Sequence, residues 1–137
     1  MNDISLHFVA FTPPNIPSKE TTPVEYYDII SNKKHVGVLN FKIGQNDYLR
    51  LYAGHISFTV FENFRGKNFA SKALSRILPH CLLFLPEIFI TCDSENIASQ
   101  KTIERVNPII HSMIDVPKNN ILYKDGYRKV RRYSVKR

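Results

Sequence analysis

Two basic residues and a glycine, Arg65, Gly66 and Lys67, stand between a stretch with strand periodicity and a stretch with helix periodicity. Before them, apolar and polar residues alternate over residues 54–60, which predicts a half-buried strand. After them, apolar residues follow a helical spacing from Asn68 onward. The first amides of a helix have no intrahelical partner, and the peptide dipoles leave about half a positive charge there. This order of elements therefore predicts a binding site for a phosphate or a diphosphate.

The residue types in the loop suit such an anion. Gly66 allows the backbone to approach a ligand closely, and Arg65 and Lys67 add full positive charges. A basic helix terminus that binds no ligand is the alternative interpretation of the same residues.

Two segments of the chain together resemble a known family. Residues 65–70 resemble the R/Q-x-x-G-x-G/A loop of the GNAT superfamily of N-acetyltransferases, in which backbone amides bind the pyrophosphate of acetyl-CoA. Residues 90–104 resemble the next strand and helix of that family, with Asn96 and Ser99 in its Asn-x-x-Ser pattern. The resemblance is best over residues 36–105, with a further match in the C-terminal RRYSV. In motif style it is closest to the ribosomal-protein alanine acetyltransferase-like branch.

The resemblance implies an α+β fold of the GNAT-like acyl-CoA N-acyltransferase type, in which helices flank a mixed, mostly antiparallel central sheet. It also implies an enzyme that uses acetyl-CoA as co-substrate and acetylates an amine by direct attack in a ternary complex. The acceptor stays open between a small molecule and a protein, because no residue favours an aminoglycoside, a peptide N-terminus, a lysine or a polyamine. A homodimer and a form without catalytic activity also stay open.

The cofactor contacts that the resemblance implies fall on three segments. The backbone of residues 58–61 would run beside the pantetheine arm and direct an amide at the acetyl carbonyl. Asn68 stands where the family usually has glycine, and asparagine tolerates a positive φ better than other side chains. Asn96 would contact pantetheine, and a plain helix N-cap is its alternative role. The implied cofactor-binding residues are Phe58, Thr59, Val60, Arg65, Gly66, Lys67, Asn68, Phe69, Ala70, Ser71, Asn96 and Ser99.

Acetyl transfer also needs a route for two protons. An alkylamine has a pKa of about 10, so it must lose a proton before it attacks, and the leaving thiolate must gain one or leave unassisted. His55 is the candidate base, although a structural strand histidine explains it equally well, and Glu62 is a second candidate in a turn. Many family members place the proton-donating tyrosine where this chain has Ile103, so Tyr123 is the candidate acid, with Tyr127 or water as alternatives.

The elements that must position these residues follow from periodicity and turn signals. A helix is expected from Asn68 to about residue 84, kinked rather than ended by Pro79, and a second helix over residues 96–106. The polar connector at residues 15–23 replaces the usual first helices, which predicts a shortened N-terminal helical region. Strands are predicted over residues 6–12, 24–30, 36–43, 54–60, 87–92, 109–116 and 128–135.

Composition favours one soluble domain over residues 1–137. The chain is 43% hydrophobic, which is enough for a single core without disulfides or metal. Cys81 and Cys92 have apolar neighbours and no metal-ligand spacing, which is typical of core residues in a reducing compartment. No apolar run approaches ~18 residues and no signal peptide begins the chain, so a cytoplasmic protein without a membrane partner is expected.

The net charge of +7 is concentrated near the C-terminus, where residues 124–137 carry seven basic side chains against one acid. A solvated edge strand, attraction of CoA, and binding of nucleic acid would each explain it. A small basic nucleic-acid-binding module is therefore the alternative to an acetyltransferase, and a non-catalytic acyl-CoA-binding protein is another. The nucleic-acid interpretation would use Tyr127, Arg131, Arg132 and Tyr133.

Overall fold

Alternating apolar and polar residues fold the N-terminal part of the chain into an antiparallel meander. The computed structural model describes residues 4–13 and 22–137. Within them, four strands form one sheet in their order along the chain. These strands are β1 (Ile4–Thr12), β2 (Val24–Ser31), β3 (Lys34–Lys42) and β4 (Ile56–Val60).

A second antiparallel sheet is built around the last strand. Strand β8 pairs with β5 on one side and with the two short strands β6 and β7 on the other. The bounds of these strands are β5 (Glu87–Asp93), β6 (Ile109–Ile110), β7 (Ile114–Asp115) and β8 (Lys129–Lys136).

Helix α1 (Phe69–Phe84) packs on both sheets and runs through Pro79. Its apolar stripe joins fully buried residues of the two sheets, among them Phe41 and Tyr133, in one core cluster. Among the described residues, two short helical turns and two further helices complete the fold. These are a π-helical turn (Leu49–Ala53), a 3₁₀ turn (Glu62–Phe64), α2 (Ile97–Glu104) and α3 (Ile121–Lys124).

Strands β4 and β5 are neighbours, and in the described part of the chain hydrogen bonds join them just before β4 begins. The amide of His55 donates to the carbonyl of Phe89 at 2.7 Å, and Thr91 Oγ1 donates to the carbonyl of Tyr52 at 2.7 Å. At this junction Gly54 has φ +74°, and a Cβ there would lie 3.0 Å from the amide nitrogen of Thr91, so the close approach requires glycine. Within the described residues, ladder pairs join β4 to β3 and β5 to β8, and the two strands diverge beyond the junction.

The long elements match the predicted ones to within about two residues at each end. The continuous strand predicted over residues 109–116 is wrong, because residues 111–113 separate β6 from β7. The π-helical turn and α3 were not predicted. Of the connector predicted to shorten the N-terminal helical region, residues 15–21 lie outside the described part of the chain.

Candidate functional site

The loop before α1 presents backbone amides to the opening of a surface groove. Asn68, the residue that precedes α1, adopts the left-handed conformation with φ 61° and ψ 24°, and its side chain caps no amide of the helix. Gly66 has φ +86°, and a Cβ placed there would meet nothing within 4 Å. Arg65 Nε donates to the carbonyl of Val60 at 3.0 Å and ties the loop to the end of β4. The first-turn amides of α1 are therefore available to an external acceptor.

The groove beside this loop has a volume of about 610 Å³, and we call it the loop cavity. The end of β4, the loop, the first turn of α1 and one face of α2 form its walls. The lining residues are Phe58, Thr59, Val60, Phe64, Arg65, Gly66, Asn68, Phe69, Ala70, Asn96, Ala98, Ser99, Lys101, Thr102 and Arg105.

All but two of the predicted cofactor-binding residues line the loop cavity. The exceptions are Lys67, which is exposed outside it, and Ser71, whose hydroxyl donates to the carbonyl of Asn68 at 3.1 Å. Three polar lining residues were not predicted from the sequence: Lys101 and Thr102 on α2, and Arg105 at its C-cap. Lys101, Thr102 and Arg105 follow Ala98 by three, four and seven residues, which places them on one face of the helix, and that spacing is the signal that could have identified them.

A second cavity of about 380 Å³, the inner cavity, lies deeper between the diverging strands. It shares Phe58, Asn96 and Ser99 with the loop cavity, so the two form one continuous groove. Tyr52 and Ala53 of the π-helical turn, and its N-cap Tyr48, also line this cavity. Its other lining residues are Lys42, Ile56, Ser57, Thr91, Cys92, Asp93, Leu122 and Tyr127.

Polar groups in the inner cavity come from β3, β4 and β5 and from the loop before β8. Lys42 Nζ donates to Ser57 Oγ at 2.7 Å and to Asn40 Oδ1 at 3.2 Å, and burial lowers the pKa of this amine. Asp93 supplies a carboxylate at the end of β5. Burial, aided by the negative charge of Asp93, raises the pKa of Tyr127 and keeps its phenol protonated at neutral pH.

His55 does not fit the predicted role of general base. It is 1% exposed and lines neither cavity. Its Nε2 donates to the carbonyl of Gly44 at 2.8 Å, and its Nδ1 accepts from the amide of Phe89 at 2.9 Å. Both ring nitrogens are therefore engaged, and burial lowers the pKa of the imidazole further. The histidine therefore holds the junction of the two sheets together, as the structural alternative expects.

Tyr123 also lies away from the groove, contrary to the predicted role of acid. Its ring stacks under the guanidinium of Arg128, with 3.7 Å between the guanidinium carbon and the ring centroid, and it lines neither cavity. Tyr127, the alternative, does line the inner cavity. Ile103 is fully buried in the core, and Glu62 is exposed in the 3₁₀ turn, outside both cavities.

The basic last strand does not present the surface that the nucleic-acid interpretation needs. Tyr133 is fully buried and donates its hydroxyl to Glu104 at 2.7 Å, so it cannot stack on a base. Arg132 donates to the carbonyl of Arg50 at 3.0 Å and lies over the ring of Phe89. The alternation of β8 thus divides the proposed contact residues between two faces of the sheet.

The two cysteines are buried, as predicted, and burial raises the pKa of both thiols, that of Cys92 to about 11. Cys92 also lines the inner cavity, which the sequence did not indicate. Over the described ranges, no three His, Cys, Asp or Glu side chains are grouped so that they could hold a metal ion. None of the helices described is long and apolar enough to span a membrane.

Comparisons with known proteins agree with this geometry. A family model described as "Acetyltransferase (GNAT) domain" matches residues 13–107. Among curated proteins, none matches the chain in sequence. Solved structures match in fold at low identity, and the chain spans only about three fifths of the length of the first of them.

One such structure is the ribosomal L7/L12 alpha-N-protein acetyltransferase RimL in complex with coenzyme A. It has 19% identity, a TM-score of 0.63, and coverage of 82% of this chain and 62% of that one. Another is the microcin C7 self-immunity acetyltransferase MccE with acetyl-CoA and AMP, at 21% identity, a TM-score of 0.64, and 83% and 61% coverage. Mycobacterium smegmatis RimJ, in complex with CoA-disulfide, has 19% identity, a TM-score of 0.64, and 82% and 53% coverage. These likenesses confirm the predicted fold.

Proposed function

Since the chain belongs to the GNAT family of acetyltransferases, we propose that it transfers the acetyl group of acetyl-CoA to an amine. The observation that carries this proposal is the continuous groove between β4 and β5, which leads from the amides of the α1 N-terminus to the inner cavity. One end of the groove suits a diphosphate, and the other is a partly closed space with polar side chains.

The groove matches acetyl-CoA along its length. The diphosphate would accept hydrogen bonds from the loop and first-turn amides, beside the charge of Arg65. Among the described residues, the edge of β4 that faces β5 forms no ladder. The carbonyl of Val60 at its end accepts from Arg65, and the backbone groups before it can pair with the two amides of pantetheine as an added strand would. Phe58, Asn96 and Ser99, which line both cavities, then flank the thioester.

The reaction follows from the groups that would lie beside the thioester. The amine nitrogen attacks the thioester carbonyl, a C–N bond forms, and the C–S bond breaks to release the CoA thiolate. A backbone amide of β4 would stabilise the charge that develops on the carbonyl oxygen. Asp93 attracts the protonated acceptor, which releases one proton to solvent before attack. As the C–N bond forms, the nitrogen loses a second proton. The Tyr127 phenol gives its proton to the thiolate and is restored by this second proton through solvent. Holding both substrates in one groove supplies much of the acceleration.

Calorimetric titration with acetyl-CoA tests the cofactor site. We expect micromolar affinity for the wild type and at least a tenfold loss for Arg65→Glu combined with Asn68→Glu, which places two carboxylates at the anion site. Lys118→Glu with Asn119→Glu is the matched control, because it changes the net charge equally in an exposed loop outside both cavities. Equal affinities for both double variants would remove the loop from the proposal.

Thiol release in the presence of a panel of amines separates catalysis from binding alone. An acetyltransferase releases CoA in proportion to the amine that it acetylates, which mass spectrometry of the product verifies. Tight binding of acetyl-CoA with no amine-dependent release would identify a non-catalytic acyl-CoA-binding protein instead.

A further inference from the structure

The inner cavity contains one cationic and one anionic side chain, Lys42 and Asp93. In the described part of the chain, neither forms an ion pair. Both oxygens that Lys42 contacts, Asn40 Oδ1 and Ser57 Oγ, are neutral. The side chain of Asp93 accepts a long hydrogen bond of 3.3 Å from the amide of Glu95. The wall of the cavity therefore holds two opposite charges that the protein itself does not neutralise.

Such an arrangement is costly unless a ligand completes it. An ammonium group has three N–H donors, and the two contacts of Lys42 satisfy two of them. A half-buried ammonium without a counterion loses hydration without an ionic interaction in return. A carboxylate or phosphate oxygen of a bound molecule would accept the third hydrogen bond and neutralise the charge, in the strong, charge-assisted class of hydrogen bonds.

The acceptor of an acetyl group is itself a cation before it reacts, because alkylamines have a pKa of about 10. Asp93 provides the complementary charge for that amine, whereas Lys42 would repel it. A molecule with a single positive charge would leave the lysine unpaired. A molecule that carries both an amine and an acidic group would pair with both side chains.

We infer that the acceptor carries a negatively charged group as well as its amine, and that Lys42 binds this group while Asp93 faces the amine. The inference rests on the proposed acetyltransferase function and narrows its acceptor to zwitterionic amines such as free amino acids. Lys42 is then a specificity-determining residue. Tyr48, Tyr52 and Tyr127 line the same cavity and give it an aromatic wall for the rest of the molecule.

The test compares an acid with its amide in the protein saturated with CoA. The two probes are N-acetyl-L-phenylalanine and N-acetyl-L-phenylalaninamide, which share the ring and the acetyl group and differ in the carboxylate. Calorimetry should show the acid binding at least tenfold more tightly to the wild type. Lys42→Met should abolish this preference, whereas Lys42→Arg should retain a preference for the acid, and Lys34→Met, at an exposed position of the same strand, should match the wild type.

Equal affinity of acid and amide for the wild type, or no binding of either, would overturn the inference, and this comparison needs no variant to fold. Thiol release with phenylalanine and phenethylamine gives a second readout, in which the amino acid should react with at least tenfold higher kcat/KM. Loss of all release in Lys42→Arg, with acetyl-CoA affinity unchanged, would assign the lysine to proton removal and overturn the anion-binding role. The proposed function has its own test, because it fails if the protein does not bind acetyl-CoA or if no amine produces thiol release.

Discussion

Residue types were easier to identify from the sequence than the direction in which each side chain points. His55 has a suitable type for a base, but its position at the junction of two sheets places both ring nitrogens against backbone groups. Tyr123 and Tyr127 are four residues apart and would share one face of a continuous helix. Helix α3 ends at Lys124 and Gly126 has φ +100°, so the chain turns and sends only Tyr127 to the groove.

His55 should contribute to stability in a pH-dependent manner. Burial lowers its pKa in the folded protein, so the unfolded chain binds the proton more readily. The contribution is therefore complete above the unfolded pKa of about 6.5 and is lost as the pH falls below it. We expect the free energy of unfolding to fall more steeply from pH 7 to pH 5 in the wild type than in His55→Gln.

Urea denaturation at several pH values measures that difference. At pH 8 the variant should be less stable by about 1–3 kcal/mol, because two buried backbone groups lose their partner. The exposed His7 offers a control, since His7→Gln should leave both the stability and its slope unchanged. Parallel pH curves for the wild type and His55→Gln would contradict the lowered pKa.

Tyr127 is predicted to donate the proton that the CoA thiolate takes up. Tyr127→Phe should lower kcat about tenfold or more and leave acetyl-CoA affinity unchanged, because the ring that lines the cavity stays in place. Tyr123→Phe removes the same hydroxyl at a position outside the groove and should have the activity of the wild type. The reverse result would restore the donor that the sequence analysis preferred.

Elements with a long, regular period could be predicted from sequence, and short elements could not. The alternation in β4 and the apolar stripe of α1 are local patterns, so these elements and the loop between them follow from the sequence. The π-helical turn has five residues and α3 has four, too few to establish a period, and tertiary contacts must stabilise them. Both elements line the inner cavity, which is why the acceptor end was less predictable than the cofactor end.

Helix α2 should contribute to cofactor affinity through its basic face. Lys101 and Arg105 line the loop cavity together with Arg65, which gives three cations around a ligand with a diphosphate and a 3′-phosphate. We expect Lys101→Gln combined with Arg105→Gln to weaken CoA binding about tenfold and to weaken 3′-dephospho-CoA binding less. Calorimetry with both ligands measures this, and Lys118→Gln with Lys136→Gln, at exposed positions outside the cavities, is the control. Equal losses for the two ligands would place the α2 cations at the diphosphate alone.

At the scale of the whole molecule, the site exists because two antiparallel sheets share one core but separate from each other between β4 and β5. The order of β1 to β4 follows from the sequence, but the order of the second sheet and the divergence of β4 and β5 do not. The divergence depends on the contacts of Gly54 and His55 with β5, which are 34 to 37 residues away in sequence. The alternation of apolar and polar residues shows where a strand begins and ends. It carries no information about which strand edges remain unpaired.

Acetyl-CoA should therefore connect the two sheets when it binds in the groove. Bound in the groove, it contacts β4 and α1 on one side and α2 on the other, so it stabilises both against local opening. At a ligand concentration of 100 times Kd we expect about 2.7 kcal/mol of added stability. Hydrogen exchange should slow in peptides from β4 and α2 together, and the hairpin of β1 and β2, away from the groove, should change little. Arg65→Glu with Asn68→Glu should abolish both effects. Slower exchange in only one of β4 and α2 would show that the ligand does not bridge the sheets.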